Sequence, residues 1–115
     1  MISVGQGKYK VWLKEEKLDN GIILTVGGGE VSHIGSIVLA EPVMNDKIFT
    51  CTSQIINMQG HKEEIIARPF AEKVCLKKKL PVLCVCGMHV NNATKKEIKM
   101  LVDNAEKLLK NFLKE

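Results

Sequence analysis

The sequence predicts an α+β domain, a mainly antiparallel sheet with two helices packed on it. Three observations carry this. Up to residue 58 the apolar residues of several stretches recur at every second position, the period of a strand. After residue 61 the spacing changes to three and four, the period of a helix. Near the end, "PVLCVCGM" (81–88) is apolar on both faces, as a central strand covered from two sides reads. The order along the chain is strand, strand, strand, strand, helix, strand, helix, all in one domain spanning 1–115 with no linker, repeat or low-complexity segment.

Residues 8–18, "KYKVWLKEEKL", set Tyr9, Val11 and Leu13 on one face and Lys10, Trp12 and Lys14 on the other, which makes a half-exposed strand. Asp19-Asn20-Gly21 is a hairpin turn signal. "IILTV" (22–26) is a second strand ended by Gly27-Gly28-Gly29, and "HIGSIVLAEP" (33–42) is a third, stopped by Pro42. Asn45-Asp46 turns the chain into a fourth, 47–58. Ile65, Ile66, Phe70, Val74 and Cys75 predict a helix over 61–78. Pro69 inside it cannot donate a backbone hydrogen bond, so a kink, or a helix restarting at Pro69, is expected. Thr94 and Glu97 form a capping box, followed by one apolar stripe from Ile98 through Leu101, Val102, Ala105, Leu108 and Leu109 to Phe112.

A length of 115 residues allows one core and little more. Aromatics are 4% of the chain, too few for base stacking, and the net charge of +4 has no basic run beyond Lys77-Lys78-Lys79; nucleic-acid binding is not expected. Cys51, Cys75, Cys84 and Cys86 lack a CxxC spacing and stand in apolar runs, so they read as reduced core residues of a cytoplasmic protein. There is no apolar leader and no run long enough to span a bilayer, and no membrane association is expected.

The three histidines each stand near a glycine at an element end, in "GGGEVSHIG", "MQGHKEE" and "CGMHVNNAT". If strands three and four form a hairpin and the first helix returns the chain parallel to strand four, then His33, His61 and His89 all fall on one rim of the sheet. The Gly27–Glu30 turn and both helix starts, at Gly60-His61-Lys62 and Asn92-Ala93-Thr94, fall there too. Two helix starts, Lys62 and Arg68 would offer a seat for an anionic ligand, with glycines admitting it close to the backbone. Taken singly, each histidine is more often a cap or turn residue than a ligand-binding group. Three histidines at one rim would also suit zinc, although no HxH or HxxxH spacing supports it. The GGGEVS run lacks a nucleotide-binding fingerprint, because a strand follows it and the third glycine is missing. Nothing arranges an activated nucleophile. The half-polar first strand, at the sheet edge, and the weakly polar face bearing Trp12, Thr50 and Thr52 predict a homodimer.

"TVGGGEVSHIGSIVLAEP", "GHKEEIIARPFAEKV" and "VCGMHVNNATKKEI" together resemble the small accessory subunit of bacterial hydroxyarylic-acid (gallate-type) decarboxylases, the LpdD-like family. The likeness runs from about Gly21 to about Leu109, and the sequence retains Gly28, Gly29, Glu30, His33, Gly35, Gly60, His61, Lys62, Arg68, Gly87, His89, Asn92 and Thr94 of the family's boxes. The resemblance implies a non-catalytic chaperone for prenylated FMN, or for the UbiD-type decarboxylase that receives it, in a system with a flavin prenyltransferase. It implies no enzyme activity of its own. It also implies a distant likeness in fold to a eukaryotic proteasome-assembly chaperone. The alternative is a homodimeric protein-assembly module without a small-molecule ligand.

Overall fold

A computed structural model of the chain describes residues 1–60 and 63–115. Six strands form one sheet: β1 (Ile2–Val4), β2 (Val11–Leu18), β3 (Gly21–Gly29), β4 (Val31–Asn45), β5 (Ile48–Asn57) and β6 (Val82–His89), in the spatial order β1-β2-β3-β6-β4-β5. Every neighbouring pair is antiparallel except β3 and β6, which run parallel. Helices α1 (Glu64–Lys78) and α2 (Lys95–Leu113) lie side by side on one face, α1 over β4, β5 and β6, α2 against β1 and β2. The architecture is the predicted α+β one, with a short extra strand, β1, at the amino end.

The core forms where the inward set of alternating strand residues meets the two helix stripes. Val11 and Leu13 of β2, Leu24 and Val26 of β3, Cys84 and Cys86 of β6 and Val38 of β4 are buried against Phe70, Val74 and Cys75 of α1 and Leu101, Ala105 and Leu108 of α2. All four cysteines are free thiols. Burial pushes the thiol of Cys75 up to about 11 and that of Cys84 up to about 12, and raises Cys86 further still, so these three side chains are packing groups and not thiolates.

Several sequence expectations need correction. Tyr9 does not extend the strand; Gly7–Tyr9 is a 3-10 turn, and Tyr9 donates from its hydroxyl to Glu97 Oε2 at 2.8 Å. The strand that follows is not an edge, because β1 pairs with it; the edges are β1 and β5. Gly27-Gly28-Gly29 continues β3 instead of ending it, and Pro42 lies inside β4. At Pro42 the ladder to β6 has already finished, at Ala40, so only β5 flanks the strand and a missing N–H is tolerated. Nor does the first helix restart at Pro69: α1 begins at Glu64 and carries Pro69 in its second turn. Finally, β6 is covered by helices on one side only.

Candidate functional site

His33, near the start of β4, and His89, at the end of β6, do share a rim: their ring centroids are 6.4 Å apart. The strand directions bring this about, since β4 is antiparallel to both β5 and β6, so β5 and β6 run the same way. His61 and Lys62 lie outside the described residues.

A β-bulge shapes the rim. Ser32 pairs with Met88 and Ser36 with Cys86, so the residues between, His33, Ile34 and Gly35, face a single residue of β6, Gly87. A Cβ on Gly87 would run into the His33 carbonyl, and one on Gly35 would meet the carboxylate of Glu63. Without those two atoms the bulge folds over β6, and Glu63 reaches His33, with Oε1 3.3 Å from Nε2. The rim is braced from both sides. Ser36 Oγ donates to Asn57 Oδ1 at 2.6 Å, and Asn57 Nδ2 donates to Glu64 Oε1 at 2.8 Å. Glu30 N–H donates to the His89 carbonyl at 2.7 Å, the Asn91 N–H donates to Glu30 Oε1 at 2.7 Å, and His89 Nε2 lies 3.0 Å from Asn91 Oδ1.

Beside this rim, between the starts of α1 and α2, is a cavity of about 500 Å³, the size of a small-molecule site. Gly60, Glu63, His89 and Asn92 supply its polar border, and its walls are apolar, among them Ile66, Val90, Leu101 and Val102. Ile65 and Ile98, which the helical stripes assign to the core, also line it and are 66% and 52% exposed. A second apolar hollow of about 340 Å³ continues along the groove between the helices and shares Ile65, Ile66 and Val102 with the first.

Of the predicted site residues, Gly60, His89 and Asn92 line the cavity, and His33 stands behind it through Glu63. At Gly28 and Gly29 the space a side chain would take is filled by the protein's own main chain, the Lys10 carbonyl at Gly28 and the His89 carbonyl at Gly29. Arg68 is not among the residues lining the cavity and donates from Nε to Glu72 Oε2 at 3.1 Å, which also accepts from Ser53. Thr94 caps α2, accepting from the Glu97 N–H at 3.1 Å, while Glu97 Oε1 accepts from the Thr94 N–H at 3.0 Å.

That reciprocal cap changes the electrostatics expected at the rim. The Thr94 N–H, the Tyr9 hydroxyl and the Lys8 ammonium hold the Glu97 carboxyl down to about 2, so the start of α2 already carries its own anion. The start of α1 carries Glu63 and Glu64. Among the described residues no lysine or arginine lines the cavity, and its walls are mostly apolar. Sequence reading missed Glu63, Asn91 and the apolar walls. The cue available was Ile65 and Ile98, apolar residues in the first turn of each helix at the rim end.

A family model for the prenylated flavin chaperone LpdD-like domain matches residues 5–115. A search among curated proteins gives no match. Among solved structures the chain is similar to one from "Crystal Structure of a Novel Chaperone Complex for Yeast 20S Proteasome Assembly", with a TM-score of 0.61 and 19% identity over 98% of this chain and 91% of that one, a likeness of fold alone. With the match running over nearly its whole length, the chain belongs to the prenylated flavin chaperone LpdD-like family.

Proposed function

We propose that the protein is a non-catalytic chaperone that holds prenylated FMN by its ring system in the rim cavity and passes it to a UbiD-type decarboxylase, acting alongside a flavin prenyltransferase in the cytoplasm. The observation that carries this is the position of the cavity. A mostly apolar hollow, with Ile65 and Ile98 left exposed at its wall, opens beside the rim that His33 and His89 share. An apolar wall suits the alkylated flavin ring, which carries more hydrocarbon than FMN itself. His89 and Asn92 border the hollow and can meet the polar edge of the ring. The phosphate falls to His61 and Lys62, next to Gly60 in the chain.

The test is a titration of prenylated FMN and of FMN followed by flavin fluorescence. Trp12 lies across Gly27 on the opposite face of the sheet from the helices, so its emission is not the readout. Ile65→Asp and Ile98→Asp replace exposed side chains and leave folding intact. Each places a buried charge beside the bound ring and should weaken binding by ten-fold or more. His61→Ala and Lys62→Ala should weaken prenylated FMN and FMN alike. A protein that leaves flavin fluorescence unchanged yet co-migrates with the purified decarboxylase would instead be an assembly module without a small-molecule ligand, the reading that the chaperone-like fold favours.

A further inference from the structure

The face of the sheet turned away from the helices is apolar and bare. Its residues align in two rows across the strands. Thr25 pairs with Val85, Val85 with Ile37 and Ile37 with Ile56; one row along, Ile23 pairs with Leu83, Leu83 with Leu39 and Leu39 with Gln54. On the β2 side the rows end in Lys14, opposite Thr25, and Glu16, opposite Ile23. No charged residue interrupts either row between β3 and β5. Strands β3 and β6 thus carry apolar side chains on both faces, yet helices cover only one.

We propose that a second copy of this chain covers this face, sheet against sheet, about a two-fold axis that crosses the strands between the two rows. Rotation about that axis exchanges the rows. Val85 then meets the partner's Leu83, Ile37 meets the partner's Leu39, and Thr25 meets the partner's Ile23. At the end of the rows Lys14 meets the partner's Glu16 and Glu16 meets the partner's Lys14, so the charges that end the two rows pair with opposite charges. Such reciprocity is what a two-fold interface requires, and sheets stacked with nearly aligned strands bury their inner faces in this way. The size also fits. The five longer strands, β2–β6, about 4.8 Å apart and roughly eight residues long at about 3.3 Å each, present roughly 600 Å² in projection. Side-chain relief brings that near the about 800 Å² per partner of a standard interface. The surface is separate from the rim cavity, so this inference stands or falls independently of the flavin reading.

Light scattering after size exclusion at micromolar concentration should give twice the 12.8 kDa chain mass. Val85→Lys, a change on the outer face, should give a single-chain mass with unchanged far-UV circular dichroism and unchanged flavin titration. Lys14→Glu sets carboxylate against carboxylate on both sides of the axis and should raise the dimer dissociation constant at least ten-fold. The exchange Lys14→Glu with Glu16→Lys restores opposite pairs and should return the constant to near the wild-type value. A single-chain wild-type mass, a Val85→Lys protein that still dimerises, or a double exchange as weak as Lys14→Glu alone overturns the proposal. So does a wild-type protein whose outer face gains hydrogen-exchange protection only when the decarboxylase is added, since that face then belongs to the decarboxylase.

Discussion

Gly87 shows how one missing atom positions the rim. The bulge carrying His33 passes directly over it, and a methyl group there meets main chain and not a flexible side-chain end. Gly87→Ala should therefore cost about 1–3 kcal/mol, the usual range for overpacking, read as a fall in the urea midpoint at unchanged slope. Because His33 must move with the bulge, flavin affinity should fall as well. At Gly35 the same logic applies with a different neighbour: the space belongs to the Glu63 carboxylate. The glycines of these boxes make room mainly for the protein's own groups. Gly60 differs, with φ +79°, nothing among the described residues near its missing side chain, and a place on the cavity border.

At the scale of elements, α2 is anchored through its first turn. Glu97 closes the capping box and also receives Tyr9 and Lys8 from the turn before β2. Its carboxyl is depressed from 4.5 to about 2 in the folded protein. A depressed acid stabilises the fold fully above its unfolded value, and that contribution drains away as the pH falls from about 4.5 toward 2. Stability measured by denaturant across that interval should decline, and Glu97→Gln should flatten this part of the decline while lowering stability at neutral pH. A decline of the same steepness in the Gln variant would assign the acid sensitivity to other carboxylates. Helix α1 is anchored differently, to β5, by Asn57 to Glu64 at its start and by Ser53 to Glu72 about two turns on. Both helices thus present their first turns to the cavity from fixed positions.

At the scale of the whole molecule, one sheet separates two surfaces: the helix side holds the core and the rim cavity, and the outer side carries the two apolar rows. If the outer side is a dimer interface, folding and association are coupled, and the thermal midpoint should rise with protein concentration. Trp12, the single tryptophan, lies on that outer side and should report dissociation on dilution through its emission. A midpoint and an emission spectrum that do not depend on concentration would mark the single chain as the stable unit.

Much of this was legible in the residues alone. Alternation and its change of period near residue 61 reveal the strands and helices because side-chain direction is a local property of the backbone. The antiparallel order then brings His33 and His89 to one rim, and Thr94 with Glu97 announces its own cap. Tertiary structure decided the rest. Pro42 could remain in β4 because the neighbouring strand ends before it, and Tyr9 left its strand because Glu97, 88 residues away, offers it a carboxylate. Ile65 and Ile98 carry the helical period of core residues, but whether a side chain is covered depends on what packs over it, and at the rim nothing among the described residues does. Periodicity shows that a face is apolar; only long-range packing decides that helices cover one side of β6 and leave the other bare.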